Sequence, residues 1–298
     1  MNEFELIDLV LSTLGETVTG DAIVLGPGDD AAAVQVPSGN LLVSSIDSLL
    51  SGVHFPADAA PELIGYRALM VSLSDLAAMG ATASHVLVSL TLDAADPEWV
   101  RGLALGMREA ALSAGVKIAG GNISRGSVAN HVSVHGYAPQ ATLLRRAGAS
   151  AGDTVYVTGM LGGAAAALAA GRLDVTPAQL DPLSERYFKP TARLVEGVAL
   201  RGHASSAMDV SDGLLQDLGH LSSASQVMIS IDSALIPVFP GASIDQALNG
   251  GDDYELLFTA AAPPPELGVR VTRIGEVRAG SGVLLDKAPV TASGYLHF

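Results

Sequence analysis

The stretch RRAGASAGDTVYVTG, residues 145–159, decides how the chain is divided. Residues 147–152 are Ala, Gly and Ser only. Such small side chains build no core and suit a linker. DTVYVTG then alternates Val155 and Val157 with other residues and reads as a fresh strand. The reading is therefore two domains, 1–146 and 147–298, of the 298-residue chain.

On the N-terminal side, residues 3–14 read as an amphipathic acidic helix. Apolar stretches at 31–36 and 41–46 flank the turn signal PSGN and read as a hairpin. Residues 61–80 have helical period and stop at Gly80. HVLVSLTL (85–92) alternates as a strand does. Residues 96–115 carry Asp96 as N-cap, Pro97 at the first helical position and Gly115 past the end. VKIAGG and HVSVHGYA are strands again, and AGGNISRG (119–126) reads as a glycine bend with Asn122 at its tip.

On the C-terminal side, helices are expected at LGGAAAALAAG, 184–201, 212–224 and 243–249. Strands are expected at SSAMDV, VMISI, YELLFTA and VRVTRIGEV. Strands and helices mix in both halves, so the fold class is α+β (mixed α/β) with two domains.

Composition narrows the function. At 49% hydrophobic and 16% charged residues, the chain has a sizeable core to bury. No apolar run reaches the roughly 18 residues of a membrane span. The acidic start MNEFELIDLV is wrong for a secretory signal. With no cysteine, disulfides, thiolate catalysis and Cys-ligated zinc are excluded. The expectation is a cytoplasmic protein. A formal net charge of −15 argues against a basic nucleic-acid surface.

Much of that charge recurs at similar places. Asp29 and Asp30 follow Gly-Pro-Gly, Asp47 ends a strand, and Asp75 sits in a helical segment. Asp209 ends a strand, Asp212 follows it, and Asp252 and Asp253 follow two glycines. Each alone is an ordinary cap or turn residue. Six such stations, mostly at strand ends and glycine bends, suit one rim. Converging carboxylates repel unless cations lie among them. Without Cys, and with His scattered, the ligands would be hard oxygens, which suit Mg²⁺, Mn²⁺ or Ca²⁺. An acidic, metal-dependent phosphate site follows. The Walker loop and the dinucleotide fingerprint are absent. Lysines are confined to Lys117, Lys189 and Lys287, so phosphate charge falls to metals and to arginines such as Arg125 and Arg146.

GPGDDAAAV, DSLLSGVHF, SDLAAMGA, AGGNISRG, MDVSDGLLQDL and GGDDYELLF together resemble the thiamine-monophosphate kinases. These belong to the superfamily of aminoimidazole ribonucleotide synthetase and selenophosphate synthetase. The resemblance runs nearly the whole chain. It implies two α/β domains, pairing of N-terminal domains in a homodimer, and ATP in the cleft between domains. It implies phosphorylation of thiamine phosphate to thiamine diphosphate with several Mg²⁺ ions, ATP being co-substrate. Carried over by motif, Asp30, Ser45, Asp47, Asp75, Asn122, Asp209 and Asp212 would be metal ligands. Gly120, Gly121, Arg146 and Ser211 would contact ATP, and His54, Asp252 and Tyr295 thiamine phosphate.

Three positions depart from the family pattern. Asn122 stands for Asp, Ser45-Ile46 for Thr-Thr, and Asp252 for Glu. Two other readings stay open, the second of them favoured by Asn122 and Ile46. One is another ATP-dependent enzyme of the superfamily. The other is a weakly active or non-catalytic homologue that binds nucleotide or thiamine phosphate.

Overall fold

A computed structural model describes residues 2–290 and 294. The chain forms two compact units. One comprises 1–76, 82–140 and 173–181; the other comprises 77–81, 141–172 and 182–298.

The first unit begins with α1 (Glu3–Leu14), β1 (Ile23–Leu25), β2 (Ala33–Val34) and β3 (Asn40–Leu50). Then come α2 (Pro61–Ala78), β4 (Thr82–Leu92), α3 (Pro97–Ala114), β5 (Lys117–Arg125) and β6 (Ala129–Pro139). Asn2 caps α1, and Glu5 reaches back to it in a capping box. Asp96 caps α3 by accepting from Glu98 and Trp99, and Gly115 ends it in the left-handed conformation, as expected.

Four strands form a sheet in the order β3-β6-β4-β5. The hairpin of 31–36 with 41–46 does not form. β2 pairs with β1 instead, and β3 pairs along its length with β6, from Asn40↔Pro139 to Leu50↔Ala129. PSGN does reverse the chain, but the long ladder with a strand some ninety residues away determines the pairing of β3. Every second residue of β6, including Val132, Val134 and Ala138, is buried. His131, Ser133, His135 and Tyr137 lie on the opposite face.

The second unit holds β7 (Thr154–Thr158), α4 (Gly163–Ala169), α5 (Pro182–Phe188), α6 (Leu194–Ala199) and β8 (Ser206–Asp209). It continues through α7 (Leu214–Ser225), β9 (Met228–Ile231), α8 (Ile244–Asn249), β10 (Leu256–Ala260), β11 (Val271–Arg278), β12 (Gly282–Leu285) and β13 (Ala288–Val290). Its sheet runs β13-β12-β9-β11-β7-β10-β8. Among the described residues of this sheet, only β12 and β9 pair in parallel. One core of Val155, Val157, Leu214, Leu218, Ile229 and Leu257 forms on it, and a second of Leu200, Leu256, Phe258 and Leu267. Each fully buried Leu or Phe contributes roughly 1.5–3 kcal/mol.

The single helix expected over 184–201 is two. Pro190 removes a donor and restricts Lys189 ahead of it, so α5 ends at Phe188 and α6 starts at Leu194. The β12–β13 hairpin was not anticipated. Its two-residue turn, Asp286-Lys287, has φ of +52° and +70°, the signature of a type I′ turn built without glycine.

Candidate active site

Ser45 and Asp47 alternate with Ile46 along β3, so they share one face of the sheet and Ile46 takes the other. α2 meets the Ser45–Asp47 face. Ser45 Oγ donates to Asp75 Oδ2 at 2.5 Å. Burial and the nearby Asp75 charge push Asp47 up to about 6, against a Ser72 hydrogen bond that favours the carboxylate. Asp47 does not end its strand, as the sequence suggested, but stands three residues inside β3. This placement is what carries it under α2. The result is two carboxylates and a hydroxyl gathered by two rigid elements.

The other residues expected in this unit lie elsewhere. Asp30 is exposed in the bend ahead of β2. Asp29 accepts its N–H at 2.9 Å and so serves as the turn partner. His54 closes the turn after β3, its Nδ1 accepting the Leu50 N–H at 3.0 Å.

Gly120, Gly121 and Asn122 form no bend. They continue β5, paired in parallel with β4 across a bulge at Val86/Leu87. Gly121 serves close packing: a Cβ on it would stand 1.9 Å from the Val88 carbonyl oxygen. Gly121→Ala is expected to cost at least about 1–3 kcal/mol of stability, because β5 must move off β4. Chemical unfolding would measure it, and an unchanged midpoint would contradict the close approach. Asn122 pairs with Ser89, in the row that continues through His131 to Ser48. Asp47 belongs to the adjacent row of Val132, Val88 and Gly121. Alternation therefore turns Asn122 and Asp47 to opposite faces.

The second unit gathers a larger group. β8 ends on Asp209, which is buried, and the chain turns through Ser211 and Asp212 into α7. Asp217, one turn into α7, accepts the N–H groups of Ser211 and Asp212 on one oxygen at 3.1 and 3.3 Å. Burial, with the charges of Asp209 and Asp212, pushes Asp217 up to about 8. Among the described residues, Asp212, Asp217 and His220 are the one group of three offering ligand atoms all within 4.8 Å of one another. Asp217 and His220 were not singled out from sequence. Their signal was present: they stand five and eight residues after Asp212 on the helix that follows it.

The loop before β10 joins this group. Asp252 N–H donates to the Ser211 carbonyl at 2.9 Å, and Tyr254 N–H to that of Val210 at 2.8 Å. Arg146 is exposed, and its carbonyl accepts from Ser225 Oγ at 2.9 Å. Ser225 Oγ also accepts the N–H groups of Gly148 and Ala149, fixing the chain beyond Arg146. Tyr295 lies outside the described residues.

Behind the loop, Glu255 is 1% exposed. It accepts two hydrogen bonds from Arg193 at 2.7 Å, one from Arg186 at 2.9 Å and one from Thr158 at 2.7 Å. The guanidinium contacts outweigh burial and hold its carboxyl below the usual range. Asp253, also buried, accepts the Gly162 N–H at 2.8 Å, and burial pushes it up to about 8. An acidic residue inside the apolar run YELLF was the sequence signal for the buried pair.

Chemically, each unit presents carboxylates at mutual distances that cost energy without a cation. The donors are oxygens with one imidazole and no thiolate, a set that fits Mg²⁺.

Family models of AIR synthase related protein match the chain, the N-terminal domain over residues 28–138 and the C-terminal domain over 150–286. The chain is 39% identical over 304 residues to thiamine-monophosphate kinase of Escherichia coli (strain K12), with 93% of this chain and 92% of that protein covered. The crystal structure of thiamine-monophosphate kinase from Stenotrophomonas maltophilia K279a superposes with a TM-score of 0.88 at 37% identity, covering 97% of this chain and 98% of that one. AaThiL complexed with AMPPCP and TMP gives a TM-score of 0.82 at 33% identity, covering 99% of this chain and 97% of that one. These likenesses bear out the mixed helix-and-sheet fold in two domains. Among the described residues, no helix is long and apolar enough to cross a membrane.

Proposed function

This chain belongs to the thiamine-monophosphate kinase family, and from that premise we infer that it transfers the γ-phosphoryl group of ATP to thiamine phosphate, giving ADP and thiamine diphosphate. The observation that carries this reading is the likeness, over 99% of the chain, to a protein solved with AMPPCP and TMP. One P–O bond forms between an acceptor phosphate oxygen and the γ-phosphorus, and the bond to the β-phosphate oxygen breaks. The acceptor oxygen is anionic at pH 7, so no general base is needed. The obstacle is the repulsion between two polyanions, and catalysis is positioning plus charge neutralisation.

Ser45, Asp47 and Asp75 would hold Mg²⁺ in the first unit, with Asp30 as a further carboxylate. Asp209 and Asp212 would do so in the second, and Asp217 and His220 extend that set. When bound, Mg²⁺ supplies positive charge to the phosphate oxygens. Asp217 keeps the Ser211–Asp212 turn in place by accepting its two N–H groups. Arg146 and Ser211, with the Gly120–Gly121 backbone, are assigned to ATP. His54 and Asp252 are assigned to thiamine phosphate, Asp252 as counter-charge to the thiazolium. Asn122 is not enlisted as a ligand, because its row faces away from Asp47. A cytoplasmic enzyme fits the cysteine-free sequence.

A homodimer is part of the same reading. It is supported by the sheet face opposite Asp47, where Leu42 is 57%, Ile46 65% and Leu50 40% exposed. An exposed apolar row of this kind suits a second copy. Ile46→Lys is expected to give monomers in sedimentation velocity at micromolar concentration; an unchanged sedimentation coefficient would overturn this face as the interface.

The activity is tested by following ADP release from ATP and Mg²⁺. ADP should appear only when thiamine phosphate is added. Tight binding of thiamine phosphate without ADP would leave a binding protein and refute the kinase.

A further inference from the structure

The sequence GGDDYELLF (250–258) does not run into β10 as plain extended chain. Asp252 has φ of +68° and Tyr254 φ of +51°, two non-glycine residues in the left-handed region with one residue between them. Left-handed backbone at non-glycine residues is strained and persists only where the surroundings hold it. Here the holding groups are visible. The intervening Asp253 is buried against the Gly162 N–H, and Glu255 is buried against Arg186 and Arg193. The Asp252 and Tyr254 N–H groups are tied to the Ser211 and Val210 carbonyls. Gly251 permits this approach, since a Cβ there would lie 2.4 Å from the Ser211 carbonyl oxygen. With 253 and 255 anchored inward, Asp252 and Tyr254 remain half-buried. The Tyr254 hydroxyl donates to Asp252 Oδ1 at 2.8 Å.

We propose that Tyr254 is a positioning residue for substrate recognition, its hydroxyl holding the Asp252 carboxylate in the orientation that meets the cationic ring of thiamine phosphate. The proposal rests on the assignment of Asp252 to that substrate. Aspartate's short side chain leaves its carboxylate free to rotate about one terminal bond, and a phenol at hydrogen-bond distance fixes that rotation. The twisted backbone is what brings the phenol there. In regular extended strand the side chains of residues i and i+2 lie some 7 Å apart, on one face.

The test compares wild type with Tyr254→Phe, Asp252→Asn and the double variant. The readouts are KM for thiamine phosphate, KM for ATP, and inhibition by 4-methyl-5-(2-phosphoethyl)thiazole, whose ring is neutral. Tyr254→Phe should raise KM for thiamine phosphate about 3- to 10-fold, the size of the net contribution of one ordinary hydrogen bond, since the lost bond orients the carboxylate and does not touch the substrate. KM for ATP and inhibition by the neutral thiazole should stay within about twofold. Asp252→Asn should raise the same KM at least as much, and adding Tyr254→Phe to it should add little, since the charge to be positioned is gone. A rise with Asp252→Asn but none with Tyr254→Phe would overturn the positioning role and leave the Asp252 assignment standing. No rise with Asp252→Asn would overturn both. Equal rises for ATP and thiamine phosphate, or an equal loss of the neutral inhibitor, would assign Tyr254 to the loop's structure alone.

Discussion

Glu255→Ala is expected to destabilise the second unit by about 3–5 kcal/mol, the cost of removing one partner from a buried ion pair. Glu255 is the common acceptor for Arg193, Arg186 and Thr158. Without it Arg193, whose side chain is 14% exposed, keeps a charge that loses its hydrogen-bonded counter-ion and retains the weaker attraction of Glu196. Thr158 also loses the acceptor for its hydroxyl while its oxygen still accepts from Leu256 N–H. The loss falls at the mouth of β10, where Asp252 and Tyr254 are set, so folding and substrate recognition should fail together. Urea unfolding followed by circular dichroism measures the stability change. A loss under about 1 kcal/mol would mean that solvent reaches the pair and screens it.

Asp47→Asn is expected to abolish most activity and yet make the metal-free protein more stable. Burial and the Asp75 charge oppose ionisation of Asp47, which titrates at about 6 rather than in the usual carboxylate range. A raised carboxyl pKa means that the folded state is favoured while the group is protonated, and loses that advantage as pH rises through about 6. At pH 7 the charged form is a standing cost, which asparagine removes. The same charge is what a divalent cation would bind, so kcat should fall by about 10²- to 10³-fold, the size seen when one preorganised electrostatic group is lost from an active site. Thermal unfolding without Mg²⁺ should shift upward, and Mg²⁺ should no longer stabilise the variant as it does wild type. A variant that is both less stable and fully active would contradict the account of this pair.

Local chemistry was legible where one residue acts on its own neighbours. Asp96 and Gly115 bound α3 where sequence placed the cap and the stop. Alternation marked β4 and β6. What sequence could not carry was the choice among distant partners. PSGN signals a reversal, but nothing near it says that β3 will pair with residues 129–139 rather than with 31–36. The error on Asn122 was of the same kind. Two glycines looked like a bend, because bends are the common reason for adjacent glycines. Here Gly121 is needed for the approach of β5 to β4, a contact visible only in three dimensions.

The site was legible as chemistry more than as geometry. The recurrent Asp residues mark Asp47, Asp75, Asp209 and Asp212 as candidates from sequence alone. Their grouping depends on sheet parity and helix placement. Asp217 and Tyr254 were missed because the contacts that mark them exist only in three dimensions: Asp217 accepts from the backbone of Ser211 and Asp212, and the Tyr254 hydroxyl donates to the carboxylate of Asp252. Residues that position others leave weak marks in composition and spacing.

The most direct measurement is phosphorus NMR of the purified protein with ATP, Mg²⁺ and thiamine phosphate. The thiamine phosphate resonance should fall as the two coupled resonances of thiamine diphosphate grow, in step with ADP. ADP with inorganic phosphate and an unchanged thiamine phosphate signal would contradict the kinase reading.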